Sequence, residues 1–391
     1  MNESFYKLLV KKYFLYTIGT CSFFVCCFII LCFIIDPLQV FHKSWFLPHD
    51  MLSDNMRLQS VGIIKYYDFD SIILGSSMLA NTSANEANEK LGGTFFNISM
   101  RGGDFYERSF PLKKALDKNI HKVIYSLDRY YLLCSKGDPS FSTARWVFLY
   151  DENPFNDLLC YASIRDIRSM FAKNFGLRAR SLDRPEDWFQ SPDSARFGGL
   201  SKWVDAMSTH SSVSNFLLNE LPAVAAQTEQ RPLTVAHDPQ RERLAREYLD
   251  AYLLKYVRDY PQTEFYCVFP PYFRYTYAQW LKTQPQEFFL HQEVIRYMTE
   301  KSETLSNLHI YGFEDQDFLD DIANYKDTTH YHPWVNSLML DAIHEGTHLL
   351  TPENMERYLR DCLEKAWNFD IGALNAQARR LVRERGAPPS H

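Results

Sequence analysis

The 391-residue chain has no surplus of basic residues: 42 Lys and Arg stand against 48 Asp and Glu, a formal net charge of −6. Nucleic acid is gripped through a basic surface, so this balance argues against that class of partner. None of the eight cysteines forms a Cys-x-x-Cys pair, which removes the usual zinc spacing. There is no internal repeat and no low-complexity run, and a mean hydropathy of −0.32 excludes a polytopic membrane protein. What is present is ordinary globular composition, 46% hydrophobic and 23% charged, which excludes a wholly disordered chain or a small disulfide scaffold.

One segment departs from that average. From Phe14 to Ile35 there are 22 residues without Asp, Glu, Lys, Arg or His. As a helix they reach about 33 Å, enough to cross a bilayer core. Lys7, Lys11 and Lys12 precede the run and Asp36-Pro37 ends it. Basic residues before a first span hold that end in the cytoplasm, so the remainder is expected outside, although His42 and Lys43 soften the asymmetry. A cleaved signal peptide is the competing reading; its apolar core is shorter, and Cys32-Phe33-Ile34-Ile35-Asp36-Pro37 offers no small-x-small site. Cys21, Cys26, Cys27 and Cys32 lie in this run as small apolar residues. An oxidising compartment permits one or two disulfides among Cys134, Cys160, Cys267 and Cys362; four free buried thiols is the alternative.

After the run, strand-like and helix-like stretches alternate. Ser71–Leu74 leads into a helical stretch ending at Gly92-Gly93; Thr94–Ile98 leads into a helix over about 104–117, with Pro111 predicting a kink or a later start. Lys122–Leu127 is a third strand. The alternation returns as a helix at about 240–258, strand Glu264–Phe269, a helix at about 286–304, strand His309–Gly312 and a helix at about 334–349. This spacing predicts βαβ units and a parallel sheet covered on both faces. Residues 134–239, with a helical stretch at Ile164–Phe175 and a polar one at Arg180–Ser194, read as an insertion beside the carboxyl ends of the strands, where α/β enzymes keep their sites. The expected organisation is therefore a cytoplasmic 1–13, a membrane helix 14–36, a linker 37–65, an α/β domain 66–370 carrying the insertion, and a basic tail 371–391.

Three short pieces carry chemistry. Gly75-Ser76-Ser77-Met78 follows the first strand, where a tight turn lifts a serine hydroxyl clear of the sheet beside a helix N-terminus; a plain turn with a capping serine is the bland alternative. Asp327-Thr328-Thr329-His330 sets a carboxylate three residues before a histidine, able to hold the imidazole from behind while its other nitrogen faces a serine. His332 is a neighbour that could be mistaken for it. Asn97 to Asp104 follows the second strand, with glycines that let backbone N–H groups approach a substrate.

In this order the three resemble the SGNH (GDSL-type) hydrolase superfamily: Gly75-Ser76-Ser77 matches its first block, Asn97 to Gly102 its second, and Asp327 to His330 its last. The resemblance covers roughly residues 66–133 and 264–350. It implies a three-layer parallel-sheet fold, Ser77 as nucleophile, His330 as general base, Asp327 as its orienting partner, and the N–H groups of Ser77 and Gly102 as oxyanion donors, with no cofactor and no metal. One block departs. The family places an asparagine after the third strand, and here Asp128 and Arg129 follow Leu127. An ionised Asp128 repels a developing oxyanion, so it must be protonated, paired with a cation such as Arg129, or outside the hole. Losing such a donor costs about 100- to 1000-fold in rate.

Behind a single span, the sequence is similar to accessory acyl-transfer proteins of cell-envelope polymers, among them alginate O-acetyltransferase-like proteins and the D-alanine transfer protein of teichoic acid synthesis. The strand Phe265–Phe269 ending in Pro270-Pro271-Tyr272 adds to that likeness. It implies an acylated glycan or lipid substrate, a polytopic membrane acyltransferase as partner, and an inner-membrane location facing outward. The rival reading is a catalytically slack module of the same fold that docks a glycan or such a partner.

Other features read as structural. The aromatics Tyr272, Phe273, Tyr275, Tyr277 and Trp280 fit packing under a loop better than a sugar platform. Glu314, Asp315, Asp317, Asp320 and Asp321 lack calcium-loop spacing and read as a solvated loop. Arg379, Arg380, Arg383 and Arg385 read as the wet face of a terminal helix. His237 and His291 have no partners at metal-ligand spacing, and His344 and His348, four apart on a helix, are read as lacking both the glutamate of a His-Glu-x-x-His motif and a third ligand.

Overall fold

In a computed structural model, the residues described are 3–43, 45, 52, 55–133, 142–161, 195–227 and 237–385. The chain divides into two compact units: Met1–Tyr67 with Thr143–Ser181, and Asp68–Ser142 with Leu182–His391. Cys134 and the stretches Ile164–Phe175 and Arg180–Ser194 lie outside the described residues.

The first unit begins with helix α1, Glu3–Ile35, of which Leu9–Ile35 is long and apolar enough to cross a membrane. Its apolar side chains point outward on every face (Phe23, Phe24 and Ile30 are all exposed), as a helix without a polar stripe requires. Asp36 ends it. The Asp36 carboxylate accepts the N–H groups of Val40, Phe41 and His42 at 3.0, 2.7 and 2.9 Å, and the Tyr161 hydroxyl at 2.5 Å. Helix α2, Met56–Tyr66, packs against this turn; a Cβ on Gly62 would stand 2.3 Å from the Gln39 carbonyl oxygen, so only glycine permits the approach. Lys65 pairs with Asp157 at 3.3 Å. Among the described residues of the expected linker, 37–43 and 55–65 thus carry folded structure, because α2 buries nearly its whole length. The expected single insertion is also two pieces: 143–161 belongs to this unit and 195–227 to the other.

The second unit holds a five-stranded parallel sheet in the order β2-β1-β3-β4-β5. The strands are β1 Ser71–Leu74, β2 Phe95–Asn97, β3 Lys122–Ser126, β4 Glu264–Phe269 and β5 Leu308–Gly312. Ser71 pairs with Phe95 on one side and Lys122 on the other, and Lys122 in turn with Glu264. β1 and most of β3 are buried, which is why they read as continuous apolar runs. The chain runs from β1 outward to β2 and returns across it to β3. The strand order therefore reverses between β1 and β3, which opens a crevice at their carboxyl ends.

Helix α3, Ala84–Leu91, follows β1 only after a long turn and is capped by Ser83. Ser77 therefore does not sit at a helix N-terminus as expected. Helix α4, Phe105–Leu116, is capped by Asp104 and runs through Pro111, so the later start does not occur. The aromatic stretch forms a helix, Arg274–Thr283, in which Tyr275, Tyr277 and Trp280 are buried. The expected basic tail is a packed helix, Ile371–Glu384, with Ile371, Ala378 and Val382 buried and its arginines exposed. Among the described cysteines none is bonded to another; Cys160, Cys267 and Cys362 are buried free thiols.

Candidate active site

Gly75 carries the chain out of β1 past two close neighbours. A Cβ there would lie 2.6 Å from Ser126 Oγ and 2.8 Å from Leu79 Cβ. The turn then sends consecutive hydroxyls in opposite directions. Ser76, buried, donates to Asp128 Oδ1 at 2.6 Å, accepts the Met78 N–H at 3.2 Å, and gives its own N–H to Ser126 Oγ at 3.2 Å. Ser77 faces outward, with its Oγ 2.8 Å from His330 Nε2. The Ser77 N–H makes no hydrogen bond within the described residues.

His330 comes from a loop closed by the antiparallel bridge between Tyr325 and Tyr331 and by Lys326 N–H to the His330 carbonyl at 3.0 Å. Asp327 folds back inside it. Its Oδ1 accepts the N–H groups of Thr329 and His330 at 3.0 and 2.8 Å, and both carboxylate oxygens lie 2.9 Å from His330 Nδ1. Burial pushes the Asp327 carboxyl up, but the neighbouring imidazole and these hydrogen bonds outweigh it and hold the group well below the usual carboxylate range. An ionised Asp327 accepts from Nδ1–H, which leaves Nε2 as the acceptor for the Ser77 hydroxyl proton; the tautomer is assigned from these partners. Arg196 Nη1, 3.7 Å from Oδ2, adds a buried cation beside the carboxylate.

The loop is anchored on several sides. Tyr331 donates to the Met78 carbonyl at 2.8 Å, tying it to the serine turn, and Trp203 Nε1 donates to the Tyr325 carbonyl at 2.9 Å. His332 points elsewhere: its Nδ1 accepts the Trp334 N–H, its ring meets Phe197, and burial lowers its pKa.

Asp128 is buried, and its cation is Arg108, not Arg129. Arg108 Nη1 lies 3.2 Å from Asp128 Oδ2 and 2.8 Å from the Ser126 carbonyl oxygen, while Ser126 Oγ donates to Oδ2 at 2.5 Å. The carboxylate is thereby neutralised and pins the serine turn from below. Asn97 is also structural: its amide donates to the Leu79 and Thr82 carbonyls at 2.8 and 2.9 Å. Gly102 adopts a left-handed turn (φ 66°) and is not among the residues lining the cleft.

That cleft, about 510 Å³, opens over Ser77 and His330 and is walled by Arg129, Leu132, Tyr272 and Trp280. The structure brings Ser77, His330, Asp327 and Asp128 together and leaves Gly102 outside the wall. Sequence reasoning missed Arg108 and Arg196. Arg108 carried a signal, since it falls on the apolar stripe of α4 with Phe105, Leu112 and Ala115, where a charge implies a buried partner. Arg196 lies in a stretch without periodicity and carried none.

Elsewhere, Glu314 is not part of a solvated loop; it is buried and accepts from Tyr277 and His291 Nε2 at 2.9 and 2.7 Å. Asp320 pairs with Arg274 at 2.6 Å. The run His344-Glu345-Gly346-Thr347-His348 does have the letters of a helical zinc motif, so the expectation that its glutamate is missing is wrong: Glu345 supplies it, and the expected helix carrying both histidines is not formed either. That motif needs both histidines on one helical face. Here the helix Trp334–Glu345 ends before Gly346, whose φ is 69°, and His348 has a φ of 58° and packs on Phe313. Among the described residues no group of His, Cys, Asp or Glu is placed to hold a metal.

No protein-family model matches the chain, and no curated protein or solved structure matches it either.

Proposed function

We propose that the protein is a serine acyltransferase or esterase of SGNH type, acting through an acyl-serine on an acylated cell-envelope polysaccharide or lipid. In this reading α1 is an uncleaved anchor, the rest of the chain faces outward, and a polytopic membrane acyltransferase supplies the acyl group. The observation that supports it most is the continuous relay from Ser77 Oγ through His330 to Asp327, with contacts of 2.8 and 2.9 Å.

Ser77 Oγ attacks the acyl carbonyl carbon while its proton passes to His330 Nε2. The free Ser77 N–H faces the oxygen that becomes negative. The bond from acyl carbon to donor oxygen breaks, and that oxygen takes the proton from Nε2. An acceptor hydroxyl or water then gives its proton to Nε2 and attacks the acyl-serine, and Ser77 leaves with the proton restored. Asp327 stabilises the imidazolium formed at each step.

A second reading, a binding or assembly module, draws on one observation: Asp128 is occupied with Arg108 and Ser76, so Ser77 N–H is the only oxyanion donor identified among the described residues. The full chain in detergent, treated with a fluorophosphonate probe, tests the choice. Labelling is expected in the wild type and lost in Ser77→Ala. Labelling unchanged in that variant removes Ser77 from its role, and normal cellular modification supported by both Ser77→Ala and His330→Ala favours the module.

A further inference from the structure

The charges lining the cleft do not cancel. Two carboxylates line it, and each is neutralised by an arginine of its own. Asp128 is held by Arg108, and Glu287 accepts from Arg241 Nη2 at 2.7 Å, an arginine that also donates to the Leu132 carbonyl at 3.0 Å. Arg129 is different. It is exposed, lines the same cleft, and forms no ion pair or guanidinium hydrogen bond among the described residues. Its guanidinium instead lies over the rings of Tyr272 and Trp280, at 5.6 and 6.0 Å from their centroids. Ring faces attract a cation and hold it in place while leaving its N–H donors unused. The result is a positioned fork of donors carrying the unmatched positive charge of the wall, in the cavity that also exposes Ser77 and His330.

We infer that Arg129 receives a carboxylate or phosphate group borne by the substrate near its acylated or accepting oxygen, so that the natural substrate is anionic. The inference rests on the acyl-transfer reading for what the cleft does, but not for the anion site itself. A planar guanidinium takes either oxyacid through two parallel hydrogen bonds, which makes Arg129 a specificity-determining residue rather than one acting on the reacting atoms. A neutral glycan of the same shape leaves the fork empty.

Titration calorimetry on the full-length chain in detergent, carrying Ser77→Ala to prevent turnover, tests this. The probes are trigalacturonate, its methyl ester, and a short glycerol-phosphate oligomer. At low salt at least one anionic probe is expected to bind about tenfold or more tighter than the methyl ester, the scale of one charge-assisted pair. Added salt should shrink that preference, Arg129→Gln should erase it, Arg129→Lys should keep part of it, and Arg129→Glu should reverse it. Whichever anionic probe wins names the oxyacid. A methyl ester that binds as well as the acid, a preference surviving Arg129→Gln, or no binding by any probe overturns the inference. Ser77 takes no part in this readout. An anion preference without fluorophosphonate labelling removes the catalytic reading alone, and labelling without a preference removes this inference alone.

Discussion

Replacing Asp128 by asparagine, the residue the family pattern carries, separates two accounts of that position. If the side chain acts as an oxyanion group, Asp128→Asn supplies a missing donor and raises esterase turnover by as much as about 100- to 1000-fold. The geometry argues otherwise. Arg108 and Asp128 are both essentially inaccessible, at 0% and 2% side-chain exposure. Removing one partner from such a buried pair leaves an uncompensated charge and costs about 3–5 kcal/mol. Two hydroxyls, those of Ser76 and Ser126, also donate to the carboxylate, and an amide can accept both only on its single oxygen. The expected result is a loss of about 3 kcal/mol, which at a urea slope of about 2–3 kcal/mol/M moves the unfolding midpoint down by about 1 M or more. Fluorescence-monitored urea unfolding in detergent measures it, with p-nitrophenyl acetate hydrolysis followed in parallel. Combining Asp128→Asn with Arg108→Met should recover part of the loss, because the stranded charge goes with it. An Asp128→Asn protein with an unmoved midpoint and faster hydrolysis refutes the reasoning.

Gly75→Ala places a methyl against Ser126 Oγ and Leu79, so it should cost about 1–3 kcal/mol and slow fluorophosphonate labelling by displacing Ser77; a variant as stable and as quickly labelled as the wild type contradicts the close fit. Asp327→Asn should lower turnover by about 10⁴-fold by disturbing the histidine tautomer. It also gives a signed pH dependence. Asp327 is held below its ordinary value in the fold, so its stabilisation is complete above its unfolded pKa of about 3.9 and drains as pH falls through the lower folded value. The stability gap between wild type and Asp327→Asn should be flat near neutrality and narrow below about pH 4, as read from urea midpoints; a gap that widens in acid is incompatible with this sign.

The sheet was legible because its strands are buried on both faces and so stand out as short apolar runs between glycines and polar turns. Ser71–Leu74 and Glu264–Phe269 coincide with their expected bounds for that reason. Helix Arg274–Thr283 was hidden by its own aromatics, which obscure any polar face. Helix α2 was hidden because nearly every residue in it is buried, leaving no amphipathic stripe to detect. At the candidate site, Ser77, Asp327 and His330 were readable as short local patterns. Of the groups that hold them, Arg196 and Tyr331 act across long sequence separations, where spacing carries no information, while Arg108 showed as a charge on an apolar stripe without its partner being readable.

Asp128 and Arg129 are adjacent, yet one charge is sealed beneath the serine turn and the other stands in the open mouth. β3 ends at Ser126; Asp128 is the last extended residue and Arg129 opens a short 3-10 turn, so the backbone changes direction between them and each side chain's aim is set by its place in that turn. Deleting Leu127, the one residue between Ser126 and Asp128, would shift both by one place, driving the Arg129 guanidinium toward Arg108 and the Asp128 carboxylate into the buried position Leu127 fills. The electrostatic sign of the whole entrance thus hangs on a count of residues, which makes this short junction far less tolerant of length change than of substitution.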